Sequence, residues 1–137
     1  ILNLLSDIQK DRNISMLFIS HDLSVVRHIS DEVAVMYLGK IVEQASCDEL
    51  FENPVHPYTQ VLISSVLTHT QSNRESRILL KGEVPSPYNI PDGCRFRTRC
   101  PYQTDLCCSQ QPELRNVGLN HYVACHYAKA SGKMEIS

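Results

Sequence analysis

The stretch MLFISHDLSVVRHISDEVAVMYLGKIVEQA, from Met16 to Ala45, changes from strand-like to helical to strand-like patterns along its length. It begins within a mostly apolar run, Ile14 to Ile19, which is typical of a parallel strand buried on both faces. A polar turn follows, and apolar residues at helical spacing then predict a helix from Leu23 to Ile29, with Ser20 or Asp22 as its N-cap. A buried strand, a turn and a helix in this order indicate an α/β fold.

The second half of this stretch predicts a β-hairpin. Two β-rich runs, Val33 to Leu38 and Ile41 to Glu43, are separated by Gly39 and Lys40, and a glycine between such runs favours a tight turn. The elements predicted outside the stretch are a helix from Ile1 to about Lys10, a short helix from Cys47 to Asn53, a helix from about Pro57 to Leu67, and a polar linker from Thr68 to Ser76.

The composition is balanced. Of 137 residues, 13 are Lys or Arg and 15 are Asp or Glu, which gives a net charge of −2, and 42% are hydrophobic. Disordered polyelectrolytes and nucleic-acid clamps need a strong excess of one sign of charge, so both classes are excluded. No apolar run reaches the roughly 18–20 residues that cross a bilayer, and we expect a soluble chain. A helical pattern is already under way at Ile1, which predicts that further sequence precedes it.

The segment from Ile78 to about Tyr127 differs in composition from the rest. Its prolines and Gly93 leave little room for regular helix, so its core is expected to be small. Five of the six cysteines lie here, between Cys94 and Cys125. Loop-rich regions with little apolar area are commonly stabilised by a metal or by disulfides.

The cysteine spacing leaves several kinds of site open. Five residues separate Cys94 from Cys100, six separate Cys100 from Cys107, and seventeen separate Cys107 from Cys125, with Cys108 as a neighbour of Cys107. The thiols could be unrelated, or paired as disulfides in an oxidising compartment. The Cys-x-x-Cys hooks typical of zinc ribbons are absent, whereas four thiolates can bind an iron–sulfur cluster at irregular spacing. Two histidines could each complete a zinc site instead: His121 and His126.

Longer motifs carry a family resemblance. The Met16–Ala45 stretch resembles the end of the nucleotide-binding domain of ABC transporters. NPVHPYTQVLISSV (Asn53 to Val66), KGEVPSPYNIPDGCRFRTRCPYQTDLC (Lys81 to Cys107) and HYVACH (His121 to His126) resemble the C-terminal extension of oligopeptide and dipeptide importer ATPases, which nickel importers also have. The resemblance implies an α/β fold in which residues 1–46 end a P-loop ABC ATPase domain. Residues 47–137 would form a small, irregular Cys/Pro-rich extension.

The resemblance also implies roles for individual residues. His21 matches the switch histidine, which is catalytic and contacts the γ-phosphate of ATP. Cys94, Cys100, Cys107 and Cys125 match the ligands of a [4Fe–4S] cluster, with Zn²⁺ as the alternative. The phosphate loop and paired acids that bind ATP and Mg²⁺ do not occur in this sequence, so we expect the chain by itself neither to bind nor to hydrolyse ATP appreciably.

The implied protein is the ATP-hydrolysing subunit of a peptide importer. It would lie peripherally on the cytoplasmic face of the inner membrane, contacting transmembrane permease subunits and a second ATPase subunit, and would serve an extracytoplasmic peptide-binding protein. The alternative is a stand-alone metal-binding regulatory or interaction module. A nucleic-acid partner, suggested by Arg95, Arg97 and Arg99, is not expected, because these side chains are predicted to form a solvated strand face or to pair with Asp92 and Glu113.

Overall fold

The computed structural model describes residues 1–70, 80, 85, 86 and 88–129. Its helices are α1 (Leu2–Arg12), α2 (Leu23–Ile29), α3 (Cys47–Glu52), α4 (Pro57–Thr70) and α5 (Asp105–Ser109), its strands are β1 (Glu32–Tyr37), β2 (Lys40–Ser46), β3 (Arg115–Gly118) and β4 (His121–Val123), and a short 3-10 turn covers Arg97–Arg99. Over the described ranges, none of the helices has both the length and the apolar character needed to cross a bilayer.

Helix ends follow local capping chemistry. The side chain of Asp22 accepts hydrogen bonds from the backbone N–H groups of Ser24 (2.9 Å) and Val25 (3.4 Å), so Asp22 is the N-cap of α2. Helix α1 ends at Asn13, whose φ of 49° lies in the left-handed region. The predicted helices are confirmed, but α4 continues to Thr70 and occupies the start of the predicted linker; the rest of that linker lies outside the described residues.

The strands form one antiparallel sheet in the order β1-β2-β4-β3. Leu38 and Gly39, with φ of 45° and 76°, form the two-residue turn of the predicted β1–β2 hairpin. Leu119 and Asn120, with φ of 51° and 56°, form the equivalent turn between β3 and β4. Two consecutive positive φ angles are the geometry whose twist matches that of antiparallel strands. The α/β class is confirmed in this coarse sense of helices packed with a sheet.

The segment predicted to be irregular adds regular structure to this sheet. It contains α5, β3 and β4, and β4 pairs with β2 through Val123 opposite Glu43 and Tyr122 opposite Gln44. The expectation of an irregular extension is therefore wrong for these elements. The sheet joins strands from both sides of the proposed boundary between residues 46 and 47, and the division into 1–46 and 47–137 stays a prediction.

The predicted buried strand from Ile14 to Ile19 is also wrong. These residues have no regular secondary structure, and every residue from 10 to 22 is exposed; Leu17 is 91% and Ile19 89% exposed. A parallel strand is buried only when neighbouring strands and helices cover both of its faces. None of the described strands pairs with this segment, so its apolar side chains remain uncovered.

The main core lies between the β1–β2 hairpin, helices α3 and α4, and the loop of residues 94–100 (the first cysteine loop). Phe96 from that loop is 1% exposed and contacts the rings of Tyr37 and Tyr58, with centroids 5.1 and 5.4 Å away. Burying an aromatic side chain of this size contributes about 1.5–3 kcal/mol. A second, smaller cluster contains Val55 and Val123. Phe96 therefore fixes the cysteine-containing loop to the hairpin.

Candidate functional site

The first and third cysteines of the predicted set are joined through the backbone. The N–H of Cys94 donates to the carbonyl oxygen of Cys107 at 2.8 Å. The preceding residue, Gly93, has a φ of +67°, and a Cβ there would lie 2.4 Å from the carbonyl oxygen of Cys107 and 2.7 Å from that of Cys108. Only glycine allows this approach, which holds the loop before Cys94 against α5.

The four predicted ligands line one cavity. Cys94, Cys100, Cys107 and Cys125 all border a small space of ≈ 20 Å³, roughly the room one water molecule needs. The first and last of these cysteines are 31 positions apart in the sequence. The fold brings the four together through the backbone hydrogen bond between Cys94 and Cys107 and through the β3–β4 hairpin, which ends before Cys125. The fold thus brings the four cysteines to one cavity; their binding of an inorganic group stays a prediction.

The remaining cysteines lie apart from that cavity. The sulfur of Cys108 accepts hydrogen bonds from the Gln103 side chain at 3.2 Å and from Arg97 at 3.9 Å. The thiol of Cys47 donates to the carbonyl oxygen of Arg27 at 3.7 Å. Because α5 turns Cys107 into the cavity and Cys108 away from it, the adjacent pair offers one candidate ligand rather than two.

The donor set suits soft metals and iron–sulfur clusters. Four thiols are the usual ligands of [4Fe–4S] clusters and of structural zinc, so the residues present fit either group chemically. In the described part of the chain, no three Cys, His, Asp or Glu side chains converge closely enough to hold a single metal ion. The described residues therefore place four thiols around one cavity but do not form a site for a single metal ion.

Burial favours the neutral form of three of the four thiols: those of Cys94, Cys100 and Cys125. It raises the pKa of Cys100 to about 11 and raises the pKa of Cys94 and of Cys125. Neutral thiols pack as small apolar groups. Ligation requires thiolates, so binding of a metal at this site must release protons.

Two histidines also line the cavity. Nε2 of His126 donates to the carbonyl oxygen of Gln110 at 3.0 Å. His56 is 2% exposed, and its Nδ1 accepts a hydrogen bond from the backbone N–H of Tyr58 at 3.1 Å. Burial lowers the pKa of His56 to about 4, against the opposing effect of Glu43. His56 is therefore neutral at pH 7 and carries its proton on Nε2.

His121, which was a candidate zinc ligand, is instead part of a buried ion pair. Its Nε2 donates to Oε1 of Glu43 at 2.7 Å, and its Nδ1 lies 3.5 Å from Oε1 of Glu49. The hydrogen bond to Glu43 raises the pKa of His121, against the effect of burial. Glu43 also accepts the backbone N–H groups of Val55 (2.7 Å) and His56 (2.9 Å). This carboxylate joins β2, β4 and the start of α4.

The predicted switch histidine, His21, has fewer contacts than the histidines near the cavity. His21 is exposed, between the end of the apolar segment and the N-cap of α2. Oγ of Ser20 accepts the backbone N–H of Asp22 at 3.0 Å, which fixes the turn that carries His21. The His21 side chain is thus exposed immediately before the start of α2.

The arginines near the cysteines have structural partners. They lie in turns rather than on a strand. Nη1 of Arg95 donates to the carbonyl oxygen of Leu38 in the hairpin turn, and Nε of Arg97 donates to the backbone carbonyl oxygen of Asp92 at 2.8 Å. The predicted strand face and the predicted pairing with the carboxylates of Asp92 and Glu113 are therefore wrong for these two residues, which bind backbone oxygens.

Comparisons with known proteins all point to one protein family. Residues 42–107 match the family model described as oligopeptide/dipeptide transporter, C-terminal region. The chain is 53% identical over 128 residues to the oligopeptide transport ATP-binding protein AppF of Bacillus subtilis (strain 168), covering 92% of this chain and 39% of that protein. It is 50% identical over 125 residues to the dipeptide transport ATP-binding protein DppF of Escherichia coli (strain K12), covering 91% and 37%.

A third relative extends the match along the chain. The putative oligopeptide transport ATP-binding protein YkfD of Bacillus subtilis (strain 168) is 45% identical over 139 residues, covering 99% of this chain and 42% of that protein. The chain therefore spans about two-fifths of the length of these relatives.

Proposed function

Because the chain belongs to the oligopeptide/dipeptide transport ATP-binding proteins, whose C-terminal region it matches, we propose that it is part of the ATP-hydrolysing subunit of a peptide importer. The observation that carries this proposal is the 53% identity to an oligopeptide transport ATP-binding protein over 92% of the chain. The subunit acts at the cytoplasmic face of the inner membrane. Its partners are transmembrane permease subunits, a second ATPase subunit and, indirectly, an extracytoplasmic peptide-binding protein.

In this proposal His21 contacts the terminal phosphate of ATP. Its exposed ring, held beside the N-cap of α2, is free to donate an N–H to a γ-phosphate oxygen. Phosphoryl transfer is catalysed mainly by positioning and by stabilising charge on those oxygens. ATP and Mg²⁺ would be bound chiefly by a phosphate loop and paired acids outside this sequence, and His21 would respond to the presence of the γ-phosphate.

Replacing His21 with alanine in the assembled importer is expected to lower its ATP turnover about 10²–10³-fold, which is the usual effect of losing one hydrogen-bond donor to a developing charge. His28→Ala is the matched control, because His28 is an exposed histidine on α2 and its loss should leave turnover unchanged. Turnover is measured as phosphate release in reconstituted membranes with peptide and its binding protein. Equal turnover in both variants would reject the role of His21, and an importer with no ATP turnover would reject the function itself.

We further propose that Cys94, Cys100, Cys107 and Cys125 bind a [4Fe–4S] cluster, with Zn²⁺ as the alternative. Their shared cavity supports this assignment. When bound, the group would supply covalent cross-links between the first cysteine loop, α5 and the end of β4. Metal ligation of this kind contributes directly to folding free energy. The cysteines would thereby compensate for the small core of the proline-rich segment.

The adjacent cysteines allow a matched test of this site. After anaerobic purification, Cys107→Ser is expected to lose most of its iron and acid-labile sulfide, whereas Cys108→Ser should retain the wild-type content of both, because only Cys107 borders the cavity. Iron and sulfide are measured by colorimetric assay and zinc by mass spectrometry. Zinc without labile sulfide in the wild-type protein would reject the cluster, and equal iron in the two variants would reject Cys107 as a ligand.

A further inference from the structure

His121 is buried between two carboxylates that belong to different elements. Its Nε2 lies 2.7 Å from Oε1 of Glu43 on β2, and its Nδ1 lies 3.5 Å from Oε1 of Glu49 on α3. His121 is the first residue of β4 and is 1% exposed, and Glu43 is 0% exposed. A single imidazole therefore links the β3–β4 hairpin to both β2 and α3.

The protonation state of this imidazole decides whether it attracts both carboxylates. Nδ1 is within ion-pair distance of Glu49 but makes no hydrogen bond among the described residues. In the neutral ring that donates Nε2–H to Glu43, Nδ1 carries a lone pair, which the Glu49 carboxylate repels. In the imidazolium both nitrogens carry hydrogen, and the positive charge attracts both carboxylates. The arrangement therefore favours the doubly protonated ring.

Glu43 and Glu49 are the charged groups that hold the proton on His121. Hydrogen bonding to Glu43 raises the pKa of His121 most, Glu49 raises it further, and burial opposes both effects. On β3, Nη2 of Arg115 donates instead to three backbone carbonyl oxygens after the end of β4. Before α4, His56 contacts Glu43 through its backbone N–H, and burial lowers the pKa of its ring to about 4, so this ring is neutral at pH 7. The described partners of the His121 ring are therefore the two carboxylates.

We propose that the proton on Nδ1 of His121 is a pH-sensitive latch, which holds the β3–β4 hairpin against β2 and α3 and loosens this contact when it is lost. The pairing of β4 with β2 is short: Val123 lies opposite Glu43 and Tyr122 opposite Gln44. Loss of the buried charge pair therefore removes a large part of what joins the two strands. The latch depends neither on a group bound by the cysteines nor on the proposed transport function.

The direction of the pH effect follows from the raised pKa of His121 in the attached hairpin. A histidine exposed to water has a pKa of about 6.5, so below that pH the attached and released states both carry the proton and the contact has its full strength. At higher pH the released state loses its proton first, and the contact weakens by up to about tenfold per pH unit until the pH reaches the raised pKa. A rise in pH therefore loosens the hairpin, and a fall in pH keeps it attached.

Hydrogen exchange of the Ala124 amide measures this attachment, because that N–H donates to the carbonyl oxygen of Val42 at 2.8 Å across the contact between β4 and β2. Exchange is followed by nuclear magnetic resonance from pH 6 to pH 8, and each rate is corrected for the intrinsic effect of pH on exchange. In the wild-type protein, protection of this amide should be constant up to about pH 6.5 and then fall by up to about tenfold per pH unit.

Three variants separate the latch from other titrating groups. Glu49→Gln keeps the side-chain size but removes one carboxylate, and its protection should depend less on pH than that of the wild type. His121→Gln removes the titrating ring and should make protection independent of pH in this range. His28→Gln, at an exposed histidine of α2, is the control and should keep the wild-type pH dependence. Wild-type protection that does not change with pH, or an equally steep fall in Glu49→Gln and His28→Gln, would overturn the latch.

Discussion

Replacement of Glu43 by alanine is expected to lower the free energy of unfolding by about 3–5 kcal/mol, which is the usual cost of removing one partner of a buried ion pair. The Glu43 side chain is fully buried and accepts three hydrogen bonds, from the N–H of Val55, the N–H of His56 and Nε2 of His121. Alanine leaves all three donors inside the protein without an acceptor. Since domains are stable by only about 5–15 kcal/mol, the variant should be close to unfolding.

Glu32 provides the matched control for this substitution. It lies on the other strand of the same hairpin, is exposed, and accepts one hydrogen bond from Gln44 at 2.8 Å. Glu32→Ala is expected to cost less than about 1 kcal/mol. Urea denaturation followed by circular dichroism measures both variants under the same conditions. Equal midpoints for Glu43→Ala and Glu32→Ala would mean that the buried network does not stabilise the fold.

The second large effect is expected at Gly93. An alanine Cβ at this position would lie 2.4 Å from the carbonyl oxygen of Cys107, and the φ of +67° is unfavourable for any side chain. The backbone must move, and the hydrogen bond from Cys94 to Cys107 must lengthen or break. We expect Gly93→Ala to lower the free energy of unfolding by about 3 kcal/mol, which combines left-handed strain with loss of a hydrogen bond. If the proposed cluster is bound, the variant should also lose most of its iron.

Gly39→Ala separates the strain from the steric clash. Gly39 has a similar φ of +76°, but the nearest atom to a Cβ there is Nη1 of Arg95 at 3.6 Å, which is ordinary contact. This variant should lose about 1–2 kcal/mol of stability from the left-handed conformation alone, and under the proposed cluster its iron content should match that of the wild type. Denaturation curves and iron assays on the two variants give the comparison. Full iron content in Gly93→Ala would show that the close approach to Cys107 is not needed for the site.

Local signals predicted most of the secondary structure. Asp22 caps α2 because a carboxylate can accept the free N–H groups of a first turn, and Gly39 marks the hairpin because a positive φ suits it. Local signals fail for the apolar run from Ile14 to Ile19, which does not form the predicted buried strand. Its composition reports a tendency to be buried, but burial depends on neighbouring elements in space that a local pattern does not contain.

The candidate site, too, could be predicted from the sequence only in part. The four cysteines could be named from the family resemblance, and they line one cavity; that they are ligands stays a prediction. The Glu43–His121 pair had no such signal, because 78 positions separate the two residues. Strict alternation along β2 would also place Val42 and Glu43 on opposite faces. A register shift opposite Val35 and Met36 leaves both of them buried, and bulges of this kind are not encoded in a hydrophobic pattern.

The uncovered run from Ile14 to Ile19 has a consequence for how this polypeptide behaves at high concentration. It contains neither a charged residue nor a proline, and Leu17 and Ile19 are almost completely accessible. Short segments of this composition readily stack into intermolecular β-structure, and charges or prolines normally protect against it. These 137 residues by themselves are therefore expected to aggregate through the six-residue run, and Leu17→Lys should keep concentrated samples of them in solution.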